Sequence, residues 1–413
     1  MHLFKKLLKP LVIFAGLVTV LTVWVVSAKV VEPNSTADRK QAAEADNAFG
    51  FRLFNELIQK EKPVTNVVVS PLSAATVVTM TAGGAAGETR DAVMKVLGVE
   101  EMNMEQVGRT AGGLLSFLES TDDAAVFKSF QSVWVGRNFK PSASFRDFNR
   151  NHFGAEVAAL DFSDPAAPKY INDWVTKKTE GLVKDILDIV PPDAVLYLVN
   201  AVYFKGVWTY PFKADGTTEA PFILSNGDTV TCTMMSSPML KVPYFYEEKL
   251  GFFAVELPYG DGRFAMTVVL PDKNRDLTEI ITALNAEKWR DLTARMNIDN
   301  VLLKLPKFKL ESGSLLNDAL KNMGMGIAFD AGRADFSGMQ DNNARSLWIS
   351  RVLHKAVIEI DEAGTEAGAG TAVEIKKGPP VPQLTADRPF LFAVREISSG
   401  TILFLARVAD PTK

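Results

Sequence analysis

Residues 356–374 read Ala-Val-Ile-Glu-Ile-Asp-Glu-Ala-Gly-Thr-Glu-Ala-Gly-Ala-Gly-Thr-Ala-Val-Glu. Ala356 to Ile360 have the pattern of a strand leaving a sheet. Glycine, alanine, threonine and acidic residues then dominate, Pro379, Pro380 and Pro382 follow, and the next clear strand begins near Phe390. A connection longer than about 12–15 residues is uncommon in a compact domain unless it is functional or disordered. Alternate residues from Thr365 are Thr365, Ala367, Ala369, Thr371 and Val373, all small or weakly apolar. The other set is Glu366, Gly368, Gly370, Ala372 and Glu374. That is the period of a strand with one face fit for burial. The glycines nevertheless make it a poor strand on its own. A segment that is a loop in one state and a sheet strand in another has this pattern; a plain Gly/Ala linker is the bland alternative.

Working outward, helix and strand patterns interleave from about Ala45 onward. Asn47 precedes Phe49, Leu53, Phe54 and Leu57 as a cap before a helical stripe. Val67–Val69 is a buried strand stopped by Pro71. Helix spacing is expected up to Leu97, over Leu114–Leu118, Tyr170–Ile189 and Leu277–Met296, and over Ser314–Met323 before Gly324. Strands are expected over Val126–Val135, Val195–Phe204, Leu347–Ile360 and Phe390–Val408. The stretch 222–310 is rich in strands, with hairpin signals at Asn226-Gly227-Asp228 and Gly260-Asp261-Gly262. No internal repeat occurs. The class is α+β with much antiparallel sheet.

The 413 residues carry 45 Lys plus Arg against 49 Asp plus Glu, a net charge of −4. A dedicated nucleic-acid binder normally shows a basic surplus, so that class is excluded. One cysteine, Cys232, and three histidines, His2, His152 and His354, leave no internal disulfide and little for a metal site. No cofactor and no metal are expected. Lys5, Lys6 and Lys9 precede an apolar run from Leu11 to Val26, and Val26-Ser27-Ala28 supplies small residues for cleavage. Residues 1–28 therefore read as a signal peptide, with a membrane anchor over residues 11–28 as the alternative. Their removal takes the net charge to −7, since they hold three lysines and no acid. Residues 29–44 read as a polar linker containing one glycosylation sequon, Asn34-Ser35-Thr36. The expected location is secreted, extracellular or periplasmic.

Several motifs, in order, cover nearly all of residues 45–413. They include Asn66-Val67-Val68-Val69-Ser70-Pro71-Leu72-Ser73, Gly83-Gly84-Ala85-Ala86-Gly87-Glu88-Thr89, and Ile171-Asn172-Asp173-Trp174-Val175 with Thr179 and Gly181. Then come Leu198-Val199-Asn200-Ala201-Val202-Tyr203-Phe204-Lys205-Gly206-Val207-Trp208, Glu256-Leu257-Pro258-Tyr259, Leu305-Pro306-Lys307-Phe308, Asp335-Phe336-Ser337-Gly338, His354-Lys355-Ala356 and Arg388-Pro389-Phe390-Leu391-Phe392. With these motifs the chain resembles a serpin, a prokaryotic or exported member. The resemblance implies a domain over 45–413 with three β-sheets, eight or nine helices and an exposed reactive loop at about 362–385. It implies no enzyme but a suicide inhibitor of a serine protease, in some members of a cysteine protease, acting as a monomer. The protease attacks the loop and forms an acyl-enzyme, and the cut loop inserts into the central sheet. The family is itself a standard example of such strand addition and of released strain. The native state is then kinetically held.

By the same resemblance, Glu362, Gly364, Thr365, Glu366, Ala367, Gly368, Ala369, Gly370, Thr371 and Ala372 form the hinge, whose small residues permit insertion. Ala363 departs from the charged residue frequent there. Gly368 and Gly370 cost about 0.5–1 kcal/mol each against alanine in a strand. Counting from Glu362 without gaps places the reactive bond at Gly378–Pro379. Cleavage before proline is unfavourable, because proline lacks an N–H and has a fixed φ. Lys377–Gly378 is thus preferred and suits a trypsin-like enzyme, with Lys376 and Ile375 as further alternatives. Ser70, Ser73, Asn200 and His354 form the shutter, and Trp208, Lys307 and Glu362 the breach. A Ser–His catalytic pair is disfavoured, since no nucleophile elbow is present. Gly83–Thr89 fails as a phosphate loop, because Glu88 stands where lysine is needed. The 100–120 region is acidic, so no heparin site is expected. The alternative to inhibition is a non-inhibitory carrier, chaperone or binding protein with the same fold.

Overall fold

A computed structural model describes residues 35–120, 124–191, 194–341, 346–364 and 381–413. α1 (Thr36–Lys60) leads through β1 (Val67–Val69) to α2 (Pro71–Ala82), α3 (Gly87–Leu97) and α4 (Met104–Glu119). β2 (Ala125–Gly136), α5 (Ala143–Phe153), β3 (Glu156–Leu160), α6 (Ala167–Lys178) and β4 (Leu196–Gly206) follow. An antiparallel run then comprises β5 (Thr218–Ile223), β6 (Thr229–Ser236), β7 (Leu240–Glu247), β8 (Phe252–Tyr259) and β9 (Phe264–Pro271). After α7 (Leu277–Ala283) and α8 (Ala286–Arg295) come β10 (Asn297–Pro306), β11 (Phe308–Leu315), the single turn α9 (Asn317–Leu320) and β12 (Arg351–Ile360). β13 (Gln383–Thr385), β14 (Phe390–Glu396) and β15 (Ile402–Val408) come last.

Pairing runs along two paths. The longer has the order β1-β15-β14-β9-β8-β7-β10-β6-β5, with β13 parallel beside β10. β10 changes partner midway: Asn297–Val301 pair with β7, and Lys304–Pro306 pair with β6. It therefore joins two sheets. The third sheet has the order β11-β12-β4-β2-β3. Three sheets and nine α-helices among the described residues give the expected α+β serpin architecture.

The five-stranded sheet positions the site. β12 is antiparallel to β11 but parallel to β4, in register from Arg351 opposite Tyr197 to Val357 opposite Tyr203. Both faces are covered, as parallel pairing requires. On one face α6 packs Ile171 and Val175 with Trp134, Tyr197, Val199, Leu353 and Val357. On the other lies α2, every residue of which is buried. Pro71 at its first turn and Ser70 as its cap suit that start.

Local readings from periodicity needed several corrections. The polar stretch 29–44, expected to be a linker, is helical from Thr36, capped reciprocally by Ser35 and Asp38. Asn47 is no cap. It is buried within α1, donates to the carbonyl of Gly400 and accepts from the N–H of Ile402. α6 stops at Lys178, because Glu180, Gly181 and Asp185 adopt positive φ. Asn172 then pins the departing chain, accepting from the N–H groups of Ile186 and Leu187. The 277–296 helix is two helices, the second recapped by Asn285. β11 extends to Leu315, so the helix expected from Ser314 begins at Asn317. β12 begins at Arg351, not Leu347. Among the described residues, no helix is long and apolar enough to cross a membrane. Residues 1–28 and the sequon Asn34 lie outside the described residues.

Candidate functional site

The register places four polar residues in one row across the sheet. Ser314 lies opposite His354, His354 opposite Asn200, and Asn200 opposite Gln131. His354 Nε2 accepts from the backbone N–H of Ser70 at 3.0 Å. Nε2 must then be unprotonated, so Nδ1 carries the hydrogen and donates to Asn200 Oδ1 at 2.8 Å. The same Oδ1 accepts from Ser73 Oγ at 2.8 Å. Ser73 Oγ lies 2.6 Å from Ser129 Oγ, which also accepts from Gln131 Nε2. The cluster is sealed, and burial lowers the His354 pKa to about 4. Neutral imidazole suits a ring that meets one donor and one acceptor.

All four residues assigned to the shutter thus meet in one network. Ser129 and Gln131 also belong to it, though they were not singled out from the sequence. Both lie at i and i+2 on one face of β2, but Lys128 and Ser132 are polar too, so no pattern in the strand sets them apart. The geometry also disposes of a Ser–His nucleophile here. The ring nitrogen faces the Ser70 N–H rather than a hydroxyl, and Ser70 Oγ caps α2 by accepting from the N–H of Ser73.

At its C-terminal end β12 runs into a turn that is bonded to the end of β4. The Trp208 N–H donates to the Ala363 carbonyl, the Phe212 N–H to the Glu362 carbonyl, and the Trp208 indole to the Asp361 carbonyl. Asp361 Oδ1 accepts from the N–H groups of Ala363 and Gly364, tightening the turn. Gly364 has φ +123° and bridges to Val207. A Cβ there would lie 2.1 Å from the Gly206 carbonyl oxygen, so only glycine fits. Trp208 is buried and stacks on Tyr259 with centroids 4.2 Å apart.

Glu362 is gripped from two sides. Lys307 Nζ reaches Oε2 at 2.9 Å, and Thr217 Oγ1 donates to Oε1 at 2.9 Å. Burial alone would raise the Glu362 carboxyl, but the Lys307 ammonium and the Thr217 hydroxyl outweigh it and hold the pKa below its ordinary value. Trp208, Lys307 and Glu362, expected together, do converge on this turn; Thr217 and Tyr259 complete the group. Thr365 to Ala372, with Lys376, Lys377, Gly378 and Pro379, lie outside the described residues. Cys232 is buried, and its thiol is pushed up by burial. The described residues contain no group of His, Cys, Asp and Glu side chains able to hold a metal.

The arrangement has one evident capacity. The two parallel strands β12 and β4 flank a seam, and the chain leaving β12 is already turned back at its mouth. A segment continuing from Gly364 into the seam would run antiparallel to both neighbours, and antiparallel pairing is the slightly more stable kind.

The family model described as Serpin (serine protease inhibitor) matches residues 44–411. The chain belongs to that family. It is 34% identical over 384 residues to leukocyte elastase inhibitor of Equus caballus, covering 90% of this chain and all of the relative. It superposes on the native state of the thermophilic serpin tengpin with a TM-score of 0.81 at 31% identity, covering 90% of this chain and 94% of the other. Human thyroxine-binding globulin complexed with thyroxine superposes with a TM-score of 0.84 at 26% identity, covering 91% of this chain and all of the other.

Proposed function

We propose that this chain is an exported inhibitor of a serine endopeptidase that traps its target as an acyl-enzyme and then inserts the cut loop between β12 and β4. The parallel seam, continuous with a turn already bonded at its mouth, carries this reading. In this account Ser70, Ser73, Asn200 and His354 latch the seam, while Trp208, Lys307 and Glu362 hold the hinge until cleavage. Loop residues 365–372 supply the inserting strand through their small alternate side chains.

Lys377–Gly378 is the proposed reactive bond and Gly378–Pro379 the alternative. The preference for a trypsin-like enzyme rests on Lys377 alone. The horse relative is named for an elastase, so the target assay includes both protease types. Export rests on the basic start and apolar run of residues 1–28. The test is incubation with trypsin and, separately, an elastase, followed by a denaturing gel and mass spectrometry of the released C-terminal peptide. A covalent complex with trypsin and a peptide beginning at Gly378 support the mechanism and the bond. A complex with elastase alone moves the specificity. Cleavage without a complex or a gain in stability favours the second reading, a carrier, which the likeness to thyroxine-binding globulin keeps in view.

A further inference from the structure

A cavity of about 520 Å³ shares no residue with the seam or its turn. It lies among the end of β5, the β9–α7 connection, the approach to β14, and Arg407 on β15. Its lining includes Lys273, Arg275, Arg388 and Arg407 against two acids, Asp276 and Asp387. The acids are already engaged. Asp387 Oδ1 accepts from Arg388, and Asp276 Oδ1 accepts from the N–H of Thr278. On a chain of net charge −4, this is a local surplus of positive charge.

Arg407 is the distinctive member. The residue is only 2% exposed, yet no carboxylate among the described residues pairs with it. Nε and Nη2 donate to the carbonyls of Thr65 and Lys62. No described group accepts from Nη1, and Nη1 is not sealed from the cavity. Burial lowers the Arg407 pKa, with Glu61 and Asp276 opposing only through space. A buried guanidinium whose Nη1 still has hydrogens to donate, in a cationic cavity, suits an oxyanion as acceptor. Lys273 and Arg275 are exposed at the rim and add point charges.

From this we infer that the cavity binds a tetrahedral oxyanion, phosphate or sulfate, either free or as the monoester of a small organic molecule. Arg407 supplies the buried donors, and Lys273 and Arg275 close over the anion. The volume exceeds what one phosphate fills, which leaves room for an organic arm.

The experiment is calorimetric titration of the full chain with inorganic phosphate, inorganic sulfate and phenyl phosphate, against chloride at matched ionic strength. Saturable binding of at least one oxyanion is expected, weakened about tenfold or more, over 1.4 kcal/mol, in the double variant Lys273→Gln, Arg275→Gln. Arg407→Lys, which keeps the charge but removes the Nη1 donors, is expected to weaken it further if it folds; the exposed double variant tests the site regardless. Tighter binding of phenyl phosphate identifies an ester as the ligand, and equal binding a free anion. No heat beyond the chloride control, or unchanged affinity in the double variant, overturns the proposal.

Discussion

His354 and Asn200 stand directly opposite each other on the two parallel strands, with Nδ1 2.8 Å from Oδ1. Any strand entering between β12 and β4 must part this pair. Replacing Asn200 by alanine leaves the His354 Nδ1–H and the Ser73 hydroxyl without their acceptor, and each buried unpaired group costs about 1–3 kcal/mol. Asn200→Ala should therefore melt at a lower temperature and lose inhibitory activity faster on warming. An unchanged melting point together with an unchanged activity half-life would remove the latch from the account.

The same pair gives a pH dependence. The folded-state pKa of His354, about 4, lies below its ordinary value of 6.5, so the unfolded chain binds more protons between those values. Stability from this group is full above pH 6.5 and is lost as pH falls through about 4, to the extent of about 3 kcal/mol. The expected observation is a melting temperature that falls relative to that of His354→Gln as pH is lowered across that window. A pH profile parallel to that of the variant would assign the effect elsewhere.

Asp46 works in the opposite direction. It is half-buried against a small cavity lined by α1, α2, the end of α3 with its following loop, and α4; no described group pairs with it, and desolvation raises its pKa from 3.8 to about 8. The folded chain binds the extra proton between those values, so stability falls as pH rises from about 4 to 8. Asp46→Asn should raise the melting temperature at pH 8 and leave it nearly unchanged at pH 3. Equal effects at both pH values would refute a titrating carboxyl.

Gly364→Ala should disrupt the docked turn. Its φ of +123° is strained for any side chain, and the new Cβ would press on the backbone of Gly206 and Trp208. A conformational penalty of about 1–3 kcal/mol is expected, before the steric overlap is added. The measured result should be a raised stoichiometry of inhibition, with more protein cleaved per protease trapped. Wild-type stoichiometry in this variant would mean the turn does not position the loop.

Much of this was legible in the sequence, but unevenly. The strand before Asp361 and the small alternate residues after it could be read directly from period-two patterning. The His354–Asn200 contact could not, because periodicity says nothing about partners 154 residues apart; it was reached only through the resemblance. Leu182, Ile186 and Ile189 continue a helical spacing past Lys178, yet the left-handed turn at Glu180 and Gly181 and the bonds from Asn172 override it. Asn47 looked like a cap because its chemistry fits one. Tertiary bonds to Gly400 and Ile402 use the same amide instead.

The central claim is that the cut loop enters the seam between β12 and β4. Its most direct test is thermal unfolding of the intact protein beside the protein cleaved once within 365–380. Insertion predicts a large rise in melting temperature for the cleaved form, since a new central strand pairs on both sides. A cleaved form that melts at or below the intact one would contradict it.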